Sequence, residues 1–398
     1  MTGTEAEFTS IEICAGAGGQ AIGLHAAGFR HLALVEIDKH ARETLRRNIE
    51  ARPDWAWEKQ YCDLSHEDVT TFEPLESVKA YGRLIKPKEV DLLAGGVPCP
   101  PFSHAGKQLG RDDERDLFPR MLELVEKLKP RAVMIENVRG ILDPKFSDYR
   151  DYIKASLEGG TYREADGTLV TLPKEEADYT VCHWGLLEAS DFGVPQLRPR
   201  AILVAIRKDV LEDVKYEWPT PTHEKAVSVA KALEKSMAAR FEAYYGGPHD
   251  RRARAAHAKW LDTASRRHEE LTAKDGAGIA PTLVGGSKKH GGADLGPSRA
   301  KAAWKLLGVS GLGVANDIET AKKKGSEERD LLGPDGPMLT VEQAAIIQGF
   351  PKDWIFDGGK TAQYRQVGNA FPPPVAEAVG RSIMDVLTAA RERDAQKS

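Results

Sequence analysis

The chain has 398 residues, 41% of them hydrophobic, enough for two domains of ordinary size. No apolar run reaches the length of a membrane span and Met1 to Ser10 is polar and acidic, so neither a spanning helix nor a secretory signal is expected. Net charge is −4, yet Thr222 to Ser310 holds 16 Lys/Arg against 9 Asp/Glu, a net of +7 that leaves −11 for the rest and implies one basic face on an acidic body.

Four cysteines (Cys14, Cys62, Cys99, Cys182) lie far apart and form no CxxC pair. No metal site is expected from them, and a reducing, cytoplasmic setting fits.

Ser10 to Cys14 reads as a first strand. Ala15-Gly16-Ala17-Gly18-Gly19 follows it directly and opens a helix from Gln20 to Ala27. Glycines there permit a tight turn and bring backbone N–H groups to a ligand at the helix N-terminus. Nicotinamide enzymes and methyl-donor enzymes share such turns. The spacing Gly16-x-Gly18-Gly19 is not the GxGxxG of a pyrophosphate binder, and it favours a nucleoside without a diphosphate, such as S-adenosylmethionine. Leu32 to Ile37 reads as a second strand, whose end, Glu36-Ile37-Asp38, offers an acid suited to a ribose diol. A helix is expected over Lys39 to Asn48. Asp63, placed after a third strand, suits an adenine amino group or, equally, a cap on a helix starting at Ser65.

The segment from Asp91 to Ser103 carries most information. Val90 to Ala94 reads as a buried strand that ends in Gly95-Gly96, where the backbone can turn sharply. Cys99 then stands between Pro98 and Pro100, on a loop at the carboxyl end of the strand. Open α/β sheets hold their chemistry at that edge, and a stiffened loop suits a nucleophile that must be aimed. Taken alone, a free cysteine is more often a small buried hydrophobe.

A helix over Leu117 to Leu128 leads to a strand at Ala132 to Ile135. Glu136-Asn137-Val138 follows, and a carboxyl at a buried strand end is a candidate acid or, as readily, part of a helix-capping pair. Strands are expected at Tyr179 to Trp184 and Ala201 to Ile206, with an exposed loop or hairpin over Gly159 to Lys174. Before the last strand, Arg198 and Arg200 of Gln196-Leu197-Arg198-Pro199-Arg200 project from the same side of an extended segment and suit carbonyl or phosphate oxygens. The alternation of strands and helices predicts an α/β fold, a Rossmann-like, mainly parallel sheet with helices on both faces.

Alternation stops at the Pro-rich linker Glu217 to Thr222. Arg/Lys-rich helical sequence and a Gly-rich stretch from Gly276 to Gly313 follow. The charged run from Asp317 to Asp335 reads as a flexible surface loop. Order returns at Leu339, and a helix over Pro374 to Arg391 closes the chain.

The order and wording of eight blocks resemble the DNA (cytosine-5)-methyltransferases of the bacterial restriction-modification and Dcm-like type. The blocks are Ala15 to Gly19, Glu36 to Asp38, Asp63, Gly95 to Ser103, Glu136 to Val138, Gln196 to Arg200, Leu339 to Pro351, and Tyr364 to Ala370. The resemblance spans almost the whole chain. It implies a catalytic domain of residues 1–217 with 360–398 and a smaller, irregular target recognition domain of residues 218–359. Cys99 would attack carbon 6 of a flipped-out cytosine, and Glu136 would act on ring nitrogen 3. Arg200 would hold the carbonyl oxygen of the base, supported by Arg198. Carbon 5 would take a methyl group from S-adenosylmethionine, held by Ile13, Ala15, Gly16, Gly18, Gly19, Glu36, Ile37, Asp63, Leu64, Pro98 and Asn369.

The resemblance further implies a double-stranded DNA substrate, contacted by Ser103, Gln108, Thr282 and Leu283, while the basic excess of Thr222 to Ser310 would supply phosphate contacts, Arg251 and Arg252 among them. A loop over Pro100 to Asp116 would close on the base. The chain would act as a monomer, with any cognate restriction endonuclease acting separately. Cys14 stands where the family has a phenylalanine that stacks on adenine, and a thiol cannot stack. A tRNA cytosine methyltransferase on the same scaffold is the nearest rival, although the long basic recognition segment argues against it. A nicotinamide oxidoreductase would leave Pro98-Cys99 and Glu136-Asn137 unexplained.

Overall fold

The computed structural model describes residues 8–98, 116–164, 166–175, 178–269, 278–285 and 293–397. Six strands form the central sheet: β1 (Phe8–Ile13), β2 (Phe29–Val35), β3 (Leu92–Gly95), β4 (Ala132–Val138), β5 (Tyr179–Glu188) and β6 (Pro199–Arg207). Their order is β2-β1-β3-β4-β6-β5; the first four run parallel, and β6 pairs antiparallel with both β4 and β5. The mainly parallel α/β architecture is therefore present. β1 and β3 are buried at every residue; β3, Leu-Leu-Ala-Gly, is an unbroken apolar run, whereas β1 also buries Thr9, Ser10 and Glu12.

Register sets the site. Ile13 lies opposite Val35 and Gly95, and Gly95 lies opposite Ile135. The carboxyl ends of β1, β2 and β3 are thus level with Ile135 of β4, and Cys14, Glu36, Gly96 and Glu136 each come next in the chain. β4 does not stop at Ile135 as its apolar run suggests but continues to Val138, held by β6.

Helices cover both faces. α1 (Gly19–Ala27) follows β1, α2 (Lys39–Ala51) follows β2, α3 (Phe118–Leu128) precedes β4 and α4 (Ser147–Glu158) follows it. Phe118, Met121, Ile153 and Leu157 pack one face of the sheet, while Leu24, Val375, Val379 and Ile383 pack the other. A Cβ on Gly23 would lie 2.3 Å from the Pro373 carbonyl oxygen, so α1 meets the start of the last helix backbone to backbone.

The remaining region is helical. α5 (Val229–Glu242) and α6 (Asp250–Glu269) pack together, and α7 (Val341–Gln348), α8 (Lys360–Asn369) and α9 (Pro373–Lys397) return the chain to the sheet. Its core holds Leu233, Met237, Phe241, Trp260, Trp304 and Leu339, all buried. The buried Arg240 guanidinium donates to the Met338 carbonyl and Gln343 Oε1, both at 2.7 Å, and to the Asp330 carbonyl at 3.1 Å. Trp354 reaches across to the glycine-rich turn, its indole N–H donating to the Ala17 carbonyl at 3.0 Å.

Two expectations are corrected. No strand precedes Asp63: a helix over Ala56–Tyr61 leads to a single bridge between Ala33 and Asp63. The run from Asp317 to Asp335 is built rather than loose. Asp317 caps a helix over Ile318–Lys324, and Asp330, 1% exposed, accepts from Asn316 and Ser326. Half-buried neighbours, Asn316 beside the run and Ser326 within it, order its charges, and composition alone does not reveal them.

Candidate active site

A cavity of about 330 Å³ opens at the level strand ends. Its lining joins Glu12 and the 14–17 turn to Glu36, Asp38, Gly96, Pro98 and Glu136, with Arg365, Asn369 and Phe371 across from the sheet. A larger cleft of about 820 Å³ lies between α5, α7 and residues 315–320, away from the strand ends. It lacks the buried strand-end carboxylates, so the smaller cavity is the one equipped for chemistry.

The glycines of the turn are needed in place. Gly16 and Gly18 have φ of +56° and +92°, and a Cβ on Gly19 would lie 2.3 Å from the Phe371 carbonyl oxygen. Cys14 also sits at positive φ, +54°. Burial pushes its thiol up to about 12, with Glu36 and Glu12 adding to the effect. Such a thiol is no nucleophile at neutral pH.

Glu36 accepts from the Gly16 and Asp38 backbone N–H groups, both at 2.8 Å. That fixes its carboxylate at the cavity wall and ties the two strand ends together. Burial raises its proton affinity, while those two hydrogen bonds oppose the rise.

Glu136 and Arg200 form the polar centre. Arg200 Nε lies 2.7 Å from Glu136 Oε1, with side chains 11% and 13% exposed. Burial raises the Glu136 pKa, and Arg200 and Arg198 pull against it. A Cβ on Gly96 would lie 3.0 Å from Glu136 Oε2, so the glycine clears room for the carboxyl group. Asn137 donates from Nδ2 to the Val97 carbonyl at 2.9 Å and pins the turn that leads into Pro98. The arrangement offers a carboxyl group able to hold a proton, a fixed guanidinium, and a stiff turn leading toward position 99.

Arg198 does something else. It is 1% exposed, and its guanidinium donates to the carbonyls of Leu283, Gly368 and Ala370 at 2.6, 2.8 and 2.9 Å. Neither it nor Arg200 lines the cavity, but Arg200 reaches the lining through Glu136, whereas Arg198 points to backbone carbonyls. Gln196 accepts from the Leu283 N–H at 2.7 Å and donates to Gln348 Oε1 at 2.7 Å. Gly368 and Gly285 meet so closely that a Cβ on Gly368 would fall 2.6 Å from Gly285 Cα. Arg198, Gln196 and these glycines hold the 282–285 segment against α8.

The other expected residues are placed as follows. Ala15, Gly16, Gly19, Glu36, Pro98 and Asn369 line the cavity, and Gly18 forms its turn. Ile13, Ile37, Asp63 and Leu64 do not line it. Ile13 is fully buried in the sheet, Ile37 is 69% exposed, and Asp63 accepts from the Ser65 N–H and hydroxyl at 2.8 and 2.6 Å. Leu283 is 0% exposed, so its side chain belongs to the core rather than to an open surface. The Thr282 hydroxyl donates to the Leu197 carbonyl at 2.6 Å. Arg252 pairs with Glu328, whereas Arg251 is exposed and makes no ion pair among the described residues. Cys99, Ser103 and Gln108 lie outside the described residues.

Sequence reasoning missed Glu12, Gln20, Arg365 and Phe371 in the lining. A glutamine straight after Gly18-Gly19 and an arginine one helical turn before Asn369 were the available signals.

A family model described as C-5 cytosine-specific DNA methylase matches residues 8–385. The chain is 44% identical over 378 residues to the Type II methyltransferase M.NaeI of Lentzea aerocolonigenes, covering 95% of this chain and 75% of that protein. It is 41% identical over 384 residues to M.NgoMIV of Neisseria gonorrhoeae, another Type II methyltransferase, covering 96% and 98%. Among solved structures, Entamoeba histolytica methyltransferase EhMeth aligns with TM-score 0.54 at 14% identity, covering 96% of this chain and 99% of that one. A Spodoptera frugiperda DNMT2 mutant aligns with TM-score 0.52 at 15% identity, covering 96% and 100%. Both share the fold.

Proposed function

The chain belongs to the C-5 cytosine-specific DNA methylase family, and on that premise we propose that it methylates carbon 5 of a flipped-out cytosine in double-stranded DNA, using S-adenosylmethionine and Cys99. The observation that carries this reading is the Glu136–Arg200 pair at 2.7 Å, set at a level strand end beside the Pro98 turn. Cytosine is a poor electrophile. A thiolate can add at carbon 6 only if charge at nitrogen 3 is neutralised, and Glu136, its proton affinity raised by burial, is placed to hold the needed proton. Arg200 orients Glu136 and keeps further N–H groups for the carbonyl oxygen of the base. Asn137 holds the turn before Cys99 in register with Glu136.

The cavity fits the methyl donor. It offers a fixed acid at Glu36 for the ribose, and it contains the amide of Gln20, 4% exposed and without a hydrogen-bond partner, as a group awaiting a polar ligand. When bound, S-adenosylmethionine supplies an electrophilic methyl group on a sulfonium. Residues 1–217 with 360–398 carry this chemistry, and residues 218–359 read the DNA. Names of the relatives as Type II methyltransferases support DNA over tRNA and a restriction-modification setting, in which the chain acts as a monomer apart from any endonuclease. A nicotinamide reading gives Glu136 and Arg200 no task.

Bisulfite sequencing of DNA from cells expressing the chain tests the reading. Protected cytosines at one short sequence, absent with Cys99→Ser, are expected; no protection above background overturns it.

A further inference from the structure

The lining of the cavity is unbalanced. Carboxyl groups of Glu12, Glu36, Asp38 and Glu136 face Arg365 as the one cation among the described lining residues. The Arg365 guanidinium makes no hydrogen bond or ion pair among the described residues, and its Nε is shielded from solvent. Gln20, in the first turn of α1, is 4% exposed, and neither polar atom of its amide has a hydrogen-bond partner among the described residues. Burying an amide with nothing bound to it is costly, so Gln20, with the Arg365 guanidinium on the same cavity, reads as a site for a polar, anionic group. α1 sharpens this, because its first turn holds no acidic residue and no side chain caps it.

We propose that Gln20 and Arg365 bind the α-carboxylate at the amino-acid end of the cofactor. Gln20 Nε2 donates a hydrogen bond to a carboxylate oxygen, and the Arg365 guanidinium supplies the opposing charge. Gln20 Oε1 is left to accept from the α-ammonium, so the amide reads both charges of one amino acid. The proposal rests on S-adenosylmethionine being the methyl donor.

Calorimetric titration separates the two claims. S-adenosylhomocysteine carries the amino-acid end, and 5′-methylthioadenosine lacks it. The wild-type chain should bind both, the first at least tenfold more tightly. Gln20→Met and Arg365→Met should each weaken S-adenosylhomocysteine about tenfold, the effect of roughly one lost contact to a charged group, and leave 5′-methylthioadenosine unchanged. Arg365→Lys should recover part of the loss, and Gln20→Glu, near-isosteric but negative, should lose more than Gln20→Met. Retained 5′-methylthioadenosine binding shows that a variant is folded. If the wild type binds neither ligand, the methyl-donor reading itself fails. If the wild type binds the two equally, or the variants weaken both equally, the carboxylate assignment is wrong. If Arg365→Met weakens only DNA binding, the arginine serves a phosphate instead, and the assignment is equally overturned.

Discussion

The rim of the sheet and the helical region between residues 218 and 338 place their polar groups by different means. At the rim, each functional position follows a paired residue: Cys14 after Ile13, Glu36 after Val35, Gly96 after Gly95, Glu136 after Ile135. Backbone pairing holds them level, and short local contacts, such as the Gly16 and Asp38 N–H groups on Glu36, then fix the side chains. The helical region has no comparable rail among its described residues, only isolated bridges such as Ser310 with Met338 and Gln196 with Ala280. Buried guanidinium groups do the joining, Arg240 within the region and Arg198 from the sheet toward Leu283. Arg198 and Arg200 show the contrast within three residues: one staples backbone carbonyls, the other pairs with the Glu136 carboxyl group at the strand end. A change at the rim should therefore alter chemistry with the fold intact, whereas a change at a staple should alter stability first.

The largest effect is expected at the rim. Glu136→Gln, which keeps the shape but not the acid, should slow single-turnover methyl transfer by roughly two orders of magnitude with melting temperature little changed. An unaltered rate would make Glu136 a structural residue and erase the distinction.

Arg198→Met tests the opposite case. It strips the donors from three buried carbonyls, a cost of roughly 3–5 kcal/mol, visible in chemical denaturation. The rate per folded molecule should fall far less than with Glu136→Gln. A stable but inactive Arg198→Met chain would place Arg198 in the chemistry after all.

Glu12→Gln is the finest test. Glu12 is 1% exposed, Oε2 has no partner, and burial, reinforced by Glu36, holds its pKa well above the usual 4.5. The folded chain therefore keeps a proton that the unfolded chain gives up above about pH 4.5, and stability falls as pH rises from there toward the folded pKa. Glu12→Gln should remove that slope, so its gain in melting temperature over wild type should grow with pH to roughly 2 °C or more by pH 8. A pH-independent difference would mean that Glu12 is not strained by its setting.

Legibility in the sequence follows the same division. The rim was readable because Leu32 to Val35, Leu92 to Ala94 and Ala132 to Ile135 are apolar runs and are followed by Glu-Ile-Asp, Gly-Gly and Glu-Asn-Val. Asp63 was misplaced because one bridge to Ala33 leaves no run of residues to recognise. Arg198 and Arg200 were expected on one side of an extended segment, but β6 begins at Pro199, so strand alternation does not extend to Arg198. Leu283 was expected at an open surface, yet its burial depends on Gln196 and Arg198, 87 and 85 residues away in the chain. Gln20 and Arg365 were invisible for a related reason: a missing partner is a property of the packed chain.

The most direct measurement concerns covalent attack on the base. Duplex DNA synthesised with 5-fluorocytosine, incubated with the chain and S-adenosylmethionine, should yield a protein–DNA adduct that survives denaturing electrophoresis, because fluorine cannot leave carbon 5 as a proton does. Cys99→Ser should yield none. A chain that methylates ordinary DNA yet forms no adduct with the fluorinated duplex, or a Cys99→Ser chain that still forms one, would contradict the account.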